Sequence, residues 1–255
     1  MAGLPFHFGE SARTLFGTIH EGDSARAPAI LLCNPFGEEA IRAFRIQRIL
    51  ADRLAVFSAG VLRFDYYGTG DAAGEDAAAC LSGFVEDILT AHEELSDISN
   101  AQHVLWIGLG LGGAAAVQAA LQTSASELTP PKGLLLWSPV MNGRHYLTDL
   151  RRGHAKITHN AEDQILDEEA LGFPLSKKLI NELQGFDISE HASASSNRID
   201  IITANGAEHS HLSGSKVSHH IVADADMWNS DEAMNAYFVP VETISLIETL
   251  VREWR

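Results

Sequence analysis

The sequence predicts an α/β protein with a mostly parallel central sheet and helices on both faces. Short apolar runs alternate with helical patterns through much of the chain, which is typical of right-handed strand–helix–strand units. The runs are apolar at consecutive positions, as in strands that are buried on both faces. A chain of 255 residues is long enough for one such domain with a sizeable core. We therefore treat 1–255 as a single domain.

The predicted strands cover six runs: 29–33, 61–65, 104–107, 133–137, 199–204 and 217–222. Between and after them, apolar residues recur every three or four positions, which indicates helices with one face against the sheet. These residues are Ala43, Ile46, Leu50, Leu54 and Phe57, then Phe84, Ile88, Ala91 and Leu95, an alanine-rich stretch at 114–121, and finally Ile244, Ile247, Val251 and Trp254. The alternation stops between 143 and 197, a polar and partly helical segment that we interpret as a small cap inserted over the sheet. Its best helical pattern, 176–183, offers Leu179, Ile180 and Leu183 for burial.

The composition and charge of the chain limit the classes of function that it can have. The formal net charge is −16, from 34 acidic and 18 basic residues, which argues against binding nucleic acid or an anionic membrane by charge. Cys33 and Cys80 form neither a disulfide framework nor a metal-ligand spacing. The first residues lack the pattern of a signal peptide, and no apolar run is long enough to span a bilayer. We expect a cytoplasmic protein with no membrane span, no metal and no cofactor.

The stretch WIGLGLGGAAA at 106–116 joins a predicted strand to a predicted helix. Gly108, Gly110 and Gly113 fit a dinucleotide-binding loop, but that loop belongs to the first strand–helix unit and needs an acidic residue about 20 positions later, at the end of the next strand. The alternative is a nucleophile elbow, G-x-S-x-G, a sharp strand-to-helix turn that exposes a catalytic serine. The frame 108–112 fits the elbow with Gly110 at its centre.

Two further turns support the elbow. The segment NPFGEE at 34–39 follows the first predicted strand, where hydrolases of this kind supply a backbone N–H to the oxyanion hole. The segment DYYGTGD at 65–71 follows the second and is similar to a loop found in many α/β-hydrolases.

With these motifs the chain resembles the α/β-hydrolase superfamily, and within it the serine-aminopeptidase-like group. It is most similar to the family of exosortase A system-associated hydrolases, type two, through NPFGEE, DYYGTGD, LWIG at 105–108, LWSPV at 136–140, GFPL at 172–175 and Met227-Trp228. The resemblance implies the α/β-hydrolase fold and a cleft at the carboxyl edge of the sheet. Members of that family tend to lack the serine at the elbow, so the resemblance also implies that it is missing here.

Acyl transfer needs a nucleophile, a base and an orienting acid. Gly110 stands at the nucleophile position and has no side chain. Glu208 is the candidate acid after the predicted strand at 199–204. The loop after the predicted strand at 217–222 offers Asp226 but no histidine. His219 and His220 fall within the predicted strand, from which they would not easily reach the elbow. The catalytic positions are therefore vestigial.

Candidate binding residues are those that the predicted turns bring to the carboxyl edge of the sheet. They are Phe36, Gly37, Asp65, Tyr67, Leu111, Ser138 and Trp228. Each has a structural alternative: Asp65 would cap its own turn, and Trp228 would pack in the core. Arg42, Arg45 and Arg48 form either a solvated helix face or an anion-binding strip, and His209 and His211 are either solvated or would need a third ligand to hold a metal.

Two functions remain open. The first is a pseudo-hydrolase that binds a small molecule, acyl or glycan-linked, or a partner protein. The alternative is an esterase, thioesterase or peptidase with an unconventional active site.

Overall fold

The computed structural model describes residues 3–123, 128–158, 169–192, 198–205, 216–230 and 238–254. Its centre is an eight-stranded sheet in the order β1-β2-β4-β3-β5-β6-β9-β10. The strand bounds are β1 Leu4–Phe8, β2 Leu15–Glu21, β3 Ala29–Cys33, β4 Gly60–Asp65, β5 Val104–Leu109, β6 Gly133–Trp137, β9 Arg198–Thr203 and β10 Val217–Ile221. Only β2 runs against its neighbours, so the sheet is mostly parallel, as predicted.

Helices cover both faces of this sheet, which confirms the predicted fold class. Four long helices make the layers: α1 Glu38–Ala55, α2 Leu81–Ser99, α3 Leu111–Thr123 and α7 Val241–Glu253. Successive residues of β3 enter opposite layers, because side chains alternate along a strand. Leu31 packs with residues of α2 and α3, whereas Ile30 and Leu32 pack with residues of α1 and α7.

The first two strands were missed in the sequence. The alternation in β2 is weak because Gly17 stands at an inward position, where a Cβ atom would come 2.9 Å from Phe8 and 3.0 Å from Leu62. A glycine is needed there for packing, and it removes the apolar residue that would have revealed the strand. The first strand predicted from the sequence, 29–33, is therefore the third strand of the structure, β3.

The segment predicted as a cap contains α4 Gly143–Thr158, the two-stranded hairpin of β7 Glu169–Ala170 and β8 Phe173–Pro174, α5 Lys177–Gln184 and α6 Ile188–Ala192. The side chain of Ser176 caps α5 by accepting a hydrogen bond from the Leu179 backbone N–H. The apolar residues Leu179, Ile180 and Leu183 are buried, as expected, in the same layer as α2 and α3. The segment is thus anchored by its own apolar face.

No helix among the described residues is long and apolar enough to cross a membrane.

Candidate functional site

Gly110 is the apex of a tight turn between β5 and α3. Its φ angle is +55°, a left-handed conformation that glycine adopts without the steric cost borne by other residues. The turn is held on both sides: the Gly110 N–H donates to the Trp137 carbonyl at 3.1 Å, and the Gly110 carbonyl accepts from Val140 at 3.0 Å and from Gly113 at 3.1 Å. The geometry is that of a strand–turn–helix elbow at the carboxyl ends of β5 and β6.

Little space surrounds the point where a side chain of residue 110 would begin. A Cβ atom there would lie 3.2 Å from Pro35 Cβ, 3.4 Å from Glu39 Oε2 and 3.4 Å from Trp228 Cη2. Behind the turn, Gly112 packs so closely on the carbonyls of Cys33 and Asn34 that any Cβ would collide with backbone. The elbow is therefore tightly packed, and it presents bare backbone where a hydrolase presents a nucleophile.

A cleft of about 700 Å³ opens above this turn. Its described lining includes Glu39 from the start of α1 and Gly110. The segment 138–142 after β6, five residues of α4, and Thr203 with Asp226, Trp228, Asn229 and Ser230 complete it. A second cavity of about 490 Å³ shares Glu39, Tyr146, Asp149, Asn229 and Ser230 with the first. Glu39 thus lies at the wall between two cavities.

The Glu39 carboxyl is fixed by partners from two distant segments. The Tyr146 hydroxyl donates to Oε2 at 3.0 Å, and the Asn229 amide donates to Oε1 at 2.9 Å. Burial raises the pKa of Glu39 to about 7, although both hydrogen bonds and the positive charge of Arg42 act to lower it. A carboxyl group in a cleft with a pKa near neutral is a common mark of a functional residue. Glu39 therefore joins the candidate site.

A second polar pair lies at the end of the neighbouring strand. Ser138 follows β6, and its φ angle of +41° is unusual for a residue other than glycine. Its hydroxyl donates to Asp226 Oδ1 at 2.6 Å. Backbone strain of this kind persists where the surrounding structure fixes it, and it clusters at functional sites.

The structure brings some of the sequence-predicted residues together. Gly110, Ser138, Asp226 and Trp228 all line the cleft, and Trp228 is also packed into the core of α1 and α7 with 2% exposure. Glu208, like His209 and His211, lies outside the described residues.

The remaining predicted binding residues have other surroundings. Phe36 and Gly37 line a small neighbouring cavity with Glu39, and Leu111 is fully buried at the start of α3. Asp65 accepts the Asp71 N–H at 3.0 Å, so it caps its own turn. Tyr67 lies against the guanidinium of Arg13, 4.7 Å from the ring centre. Asp65 and Tyr67 are not part of the described lining of the cleft.

The two histidines that the sequence places in the last predicted strand are held within the sheet. His219 and His220 belong to β10, and His220 Nε2 lies 2.7 Å from Oδ1 of the buried Asp200. His145 of α4 does line the cleft, and the sequence interpretation missed it together with Glu39, Tyr146 and Asn229. Only the NPFGEE motif pointed toward Glu39. Among the described residues, no group of three histidine, cysteine or acidic side chains is arranged to hold a metal ion.

A family model described as "Hydrolase_4: Serine aminopeptidase, S33" matches residues 25–181, more than half of the chain. The chain belongs to this serine aminopeptidase family. The match contains the elbow at 108–112. Among curated protein sequences, none matches the chain significantly.

Solved structures with the same fold are numerous and distant. A putative hydrolase from Agrobacterium vitis S4 is 16% identical, with a TM-score of 0.62 over 99% of this chain and 98% of that one. Proline iminopeptidase from Mycobacterium smegmatis is 10% identical, with a TM-score of 0.69 over 98% of both chains. Est1E from Butyrivibrio proteoclasticus, solved with ferulic acid, is 15% identical, with a TM-score of 0.64 over 98% of this chain and 97% of that one. These likenesses establish the α/β-hydrolase fold.

Proposed function

We propose that this protein is a pseudo-hydrolase: it keeps the fold and cleft of the serine aminopeptidase family and binds a ligand or partner there, without serine acyl-transfer chemistry. The observation that carries the proposal is Gly110 at the apex of the elbow. An acyl-enzyme requires a nucleophilic side chain at that point, and glycine has none. The fold does not restore the activity, because function resides in the site.

The base position supports the same conclusion. Asp226 occupies the loop after β10, where the catalytic histidine of such a site is expected, and it already accepts the Ser138 hydroxyl. A carboxylate in that loop does not supply the imidazole that acts as the base for a serine nucleophile. Among the described residues, His219 and His220 lie along β10 rather than in that loop. Nucleophile and histidine base are thus both missing from their usual places.

The finer assignments belong to the same proposal. The sequence motifs favour the exosortase A system-associated hydrolases, type two, and with them a cytoplasmic protein. The ligand is a small molecule, acyl or glycan-linked, or a partner protein. The acidic net charge argues against nucleic acid. We further propose that 143–197 serves as a cap over the single domain, since α4 already lines one wall of the cleft.

A second candidate function is an unconventional hydrolase, and Glu39 is the observation that favours it. With a pKa near 7 and a place beside Gly110, its carboxylate has the basicity to take a proton from water. The hydroxide oxygen would then attack a substrate carbonyl directly, and the proton would pass from Glu39 to the leaving group. No acyl-enzyme forms on this route, so it needs no serine.

The test compares the wild type with Gly110→Ser and with Gly110→Ala. The alanine variant is the matched control, because it carries the same Cβ and backbone strain without the hydroxyl. After thermal melting confirms that all three are folded, each is assayed with short acyl esters and with a fluorophosphonate probe. We expect neither turnover above the blank nor labelling in any of them, since the new hydroxyl of Gly110→Ser has no histidine base in the usual loop, and positioned general-base assistance is worth roughly 10²–10⁴-fold.

Turnover by the wild type would overturn the pseudo-hydrolase proposal. Loss of that turnover in Glu39→Gln would then favour the unconventional hydrolase. Labelling of Gly110→Ser alone would reveal a base near the elbow, with Glu39 as the first residue to test, because its Oε2 lies 3.4 Å from the position of a Cβ at residue 110.

A further inference from the structure

The charges that face the cleft are unbalanced. Among the described residues, Glu39, Asp149 and Asp226 line it on the acidic side, against Arg152 and the imidazole of His145. Arg152 is paired with Asp149 at 2.9 Å. Two carboxylates, those of Glu39 and Asp226, therefore face the cleft with hydrogen bonds but without an ion pair among the described residues.

Arg42, the cation nearest to Glu39 along α1, is committed elsewhere. Its guanidinium pairs with Glu38 at 3.0 Å and donates to the Asn229 carbonyl at 2.6 Å. It lines the second cavity and not the first. Among the described residues, Glu39 is thus a partly buried carboxyl group with no ion pair inside the first cavity, and desolvation of its charged form is costly until a counter-ion arrives.

Glu39 is also positioned as a receptor for a ligand. Tyr146 and Asn229 each engage one of its oxygens, which fixes the orientation of the carboxyl, and each oxygen keeps a second lone pair for another donor. The side chain missing at Gly110 leaves Oε2 next to bare backbone at the floor of the cleft. A donor entering the cleft therefore meets a preorganised acceptor whose partners come from the protein itself.

We propose that the cleft takes a ligand carrying an ammonium group, and that the Glu39 carboxylate receives this group at the floor beside Gly110. The inference rests on the proposed function, since it names the ligand class of the same site. An ammonium group offers three donors and the charge that the cleft lacks. Carboxylate or phosphate ligands would instead meet repulsion from Glu39 and Asp226.

Binding of this kind exchanges a proton for the ligand's charge. Burial raises the pKa of Glu39 to about 7, so an incoming ammonium group displaces a proton from the molecules that carry one there. The described titratable and charged groups that line the two cavities with Glu39 are Glu38 and Arg42 from α1, His145, Tyr146, Asp149, Arg152 and Lys156 from α4, and Asp226 from the loop after β10. A Glu39 variant separates the proton of Glu39 from any contribution of these groups.

The experiment titrates the full-length protein calorimetrically with benzylamine, benzyl alcohol and benzoate, which share one ring and differ in charge. We expect benzylamine to bind about tenfold more tightly than the alcohol, and benzoate to bind most weakly. Glu39→Gln should weaken benzylamine about tenfold and leave the alcohol unchanged, which corresponds to about 1.4 kcal/mol. The matched control is Glu21→Gln, at the exposed end of β2 on the opposite edge of the sheet, and it should bind all three as the wild type does.

The pH dependence gives a second readout. Wild-type affinity for benzylamine should rise as the pH rises from 6 to 8 and Glu39 ionises, and titrations at pH 7 in two buffers of different ionisation enthalpy should show that benzylamine binding releases protons. Glu39→Gln should lose most of that slope and the released proton. A thermal melt checks that this variant is folded.

Equal affinity for the three probes, no measurable binding of any of them, or an undiminished pH slope in Glu39→Gln would overturn the inference. Preference for benzoate would overturn it as well, while leaving a binding cleft in place. Ester turnover by the wild type is the separate result that would defeat the proposed function, whatever benzylamine does.

Discussion

Two neighbouring turns of this protein share a positive φ angle but differ in the residue that adopts it. Gly110 follows β5 with a φ angle of +55°, and Ser138 follows β6 with a φ angle of +41°. Glycine tolerates that conformation at no steric cost, whereas serine is strained in it by roughly 1 kcal/mol. The turn after β5 thus has the residue without strain, and the turn after β6 has a hydroxyl where glycine would be less strained.

Each turn also has its own carboxylate. Glu39 lies beside Gly110 and is held by Tyr146 and Asn229, whereas Asp226 accepts the hydroxyl of Ser138. The comparison teaches that each of the two turns has a carboxyl group beside it. The described polar groups at the floor of the cleft are therefore mainly acidic.

The largest effect should come from a branched side chain at the elbow. We expect Gly110→Val to lower the free energy of unfolding by about 3 kcal/mol, because a left-handed backbone and a crowded Cβ both oppose it. Gly110→Ala, which adds the Cβ alone, should cost less. Urea denaturation at constant pH measures both, and a loss below about 1 kcal/mol for valine would show that the turn relaxes easily.

The acidic group beside Gly110 should make stability depend on pH. Burial raises the pKa of Glu39 from 4.5 to about 7 in the folded protein, so the unfolded chain releases this proton first. Glu39 therefore lowers stability as the pH rises from about 4.5 to 7, and the loss is constant above that range. Relative to the wild type, Glu39→Gln should gain about 1–2 kcal/mol between pH 5 and pH 8, after discounting for partial exposure.

Melting curves of the wild type, Glu39→Gln and the control Glu21→Gln across pH 5–8 check this. A constant difference between the wild type and Glu39→Gln over that range would contradict the raised pKa.

The smallest effect concerns the strained serine. Ser138→Gly and Ser138→Ala both remove the hydroxyl bond to Asp226, but only glycine relieves the left-handed backbone. The glycine variant should therefore be about 1 kcal/mol more stable than the alanine variant. Denaturation midpoints compare the two directly, and equal values would mean that the turn changes its conformation once the hydroxyl is gone.

The layered fold could be predicted from the sequence because its strongest signals are local. The apolar runs of β3, β5 and β6 are buried throughout, and the periodic faces of α1, α2 and α7 pack on the sheet. β2 was missed because Gly17 interrupts its alternation. The elbow itself could be predicted from the sequence, because a glycine-rich turn between a strand and a helix has few alternative interpretations.

Several residues that line the cleft could be predicted from the sequence, but Glu39 could not. In the sequence it is one of two acidic residues in the first turn of a helix, where acidic residues are favoured by the helix dipole and usually solvated. The partners that fix its carboxyl, Tyr146 and Asn229, lie 107 and 190 positions further along the chain. No local pattern carries that information. Arg42 was misjudged for the same reason, since its contact with Asn229 spans 187 positions.

These sequence separations have a consequence for how the protein is made. During synthesis from the amino terminus, the helix that carries Glu39 emerges long before the hydroxyl and the amide that will hold its carboxyl. A nascent chain that ends before Asn229 can already contain β3, β4, β5 and β6, but it cannot complete the acceptor at the floor of the cleft. The ligand-receiving surface is therefore among the last parts of the domain to be assembled, after the strands beneath it are in place.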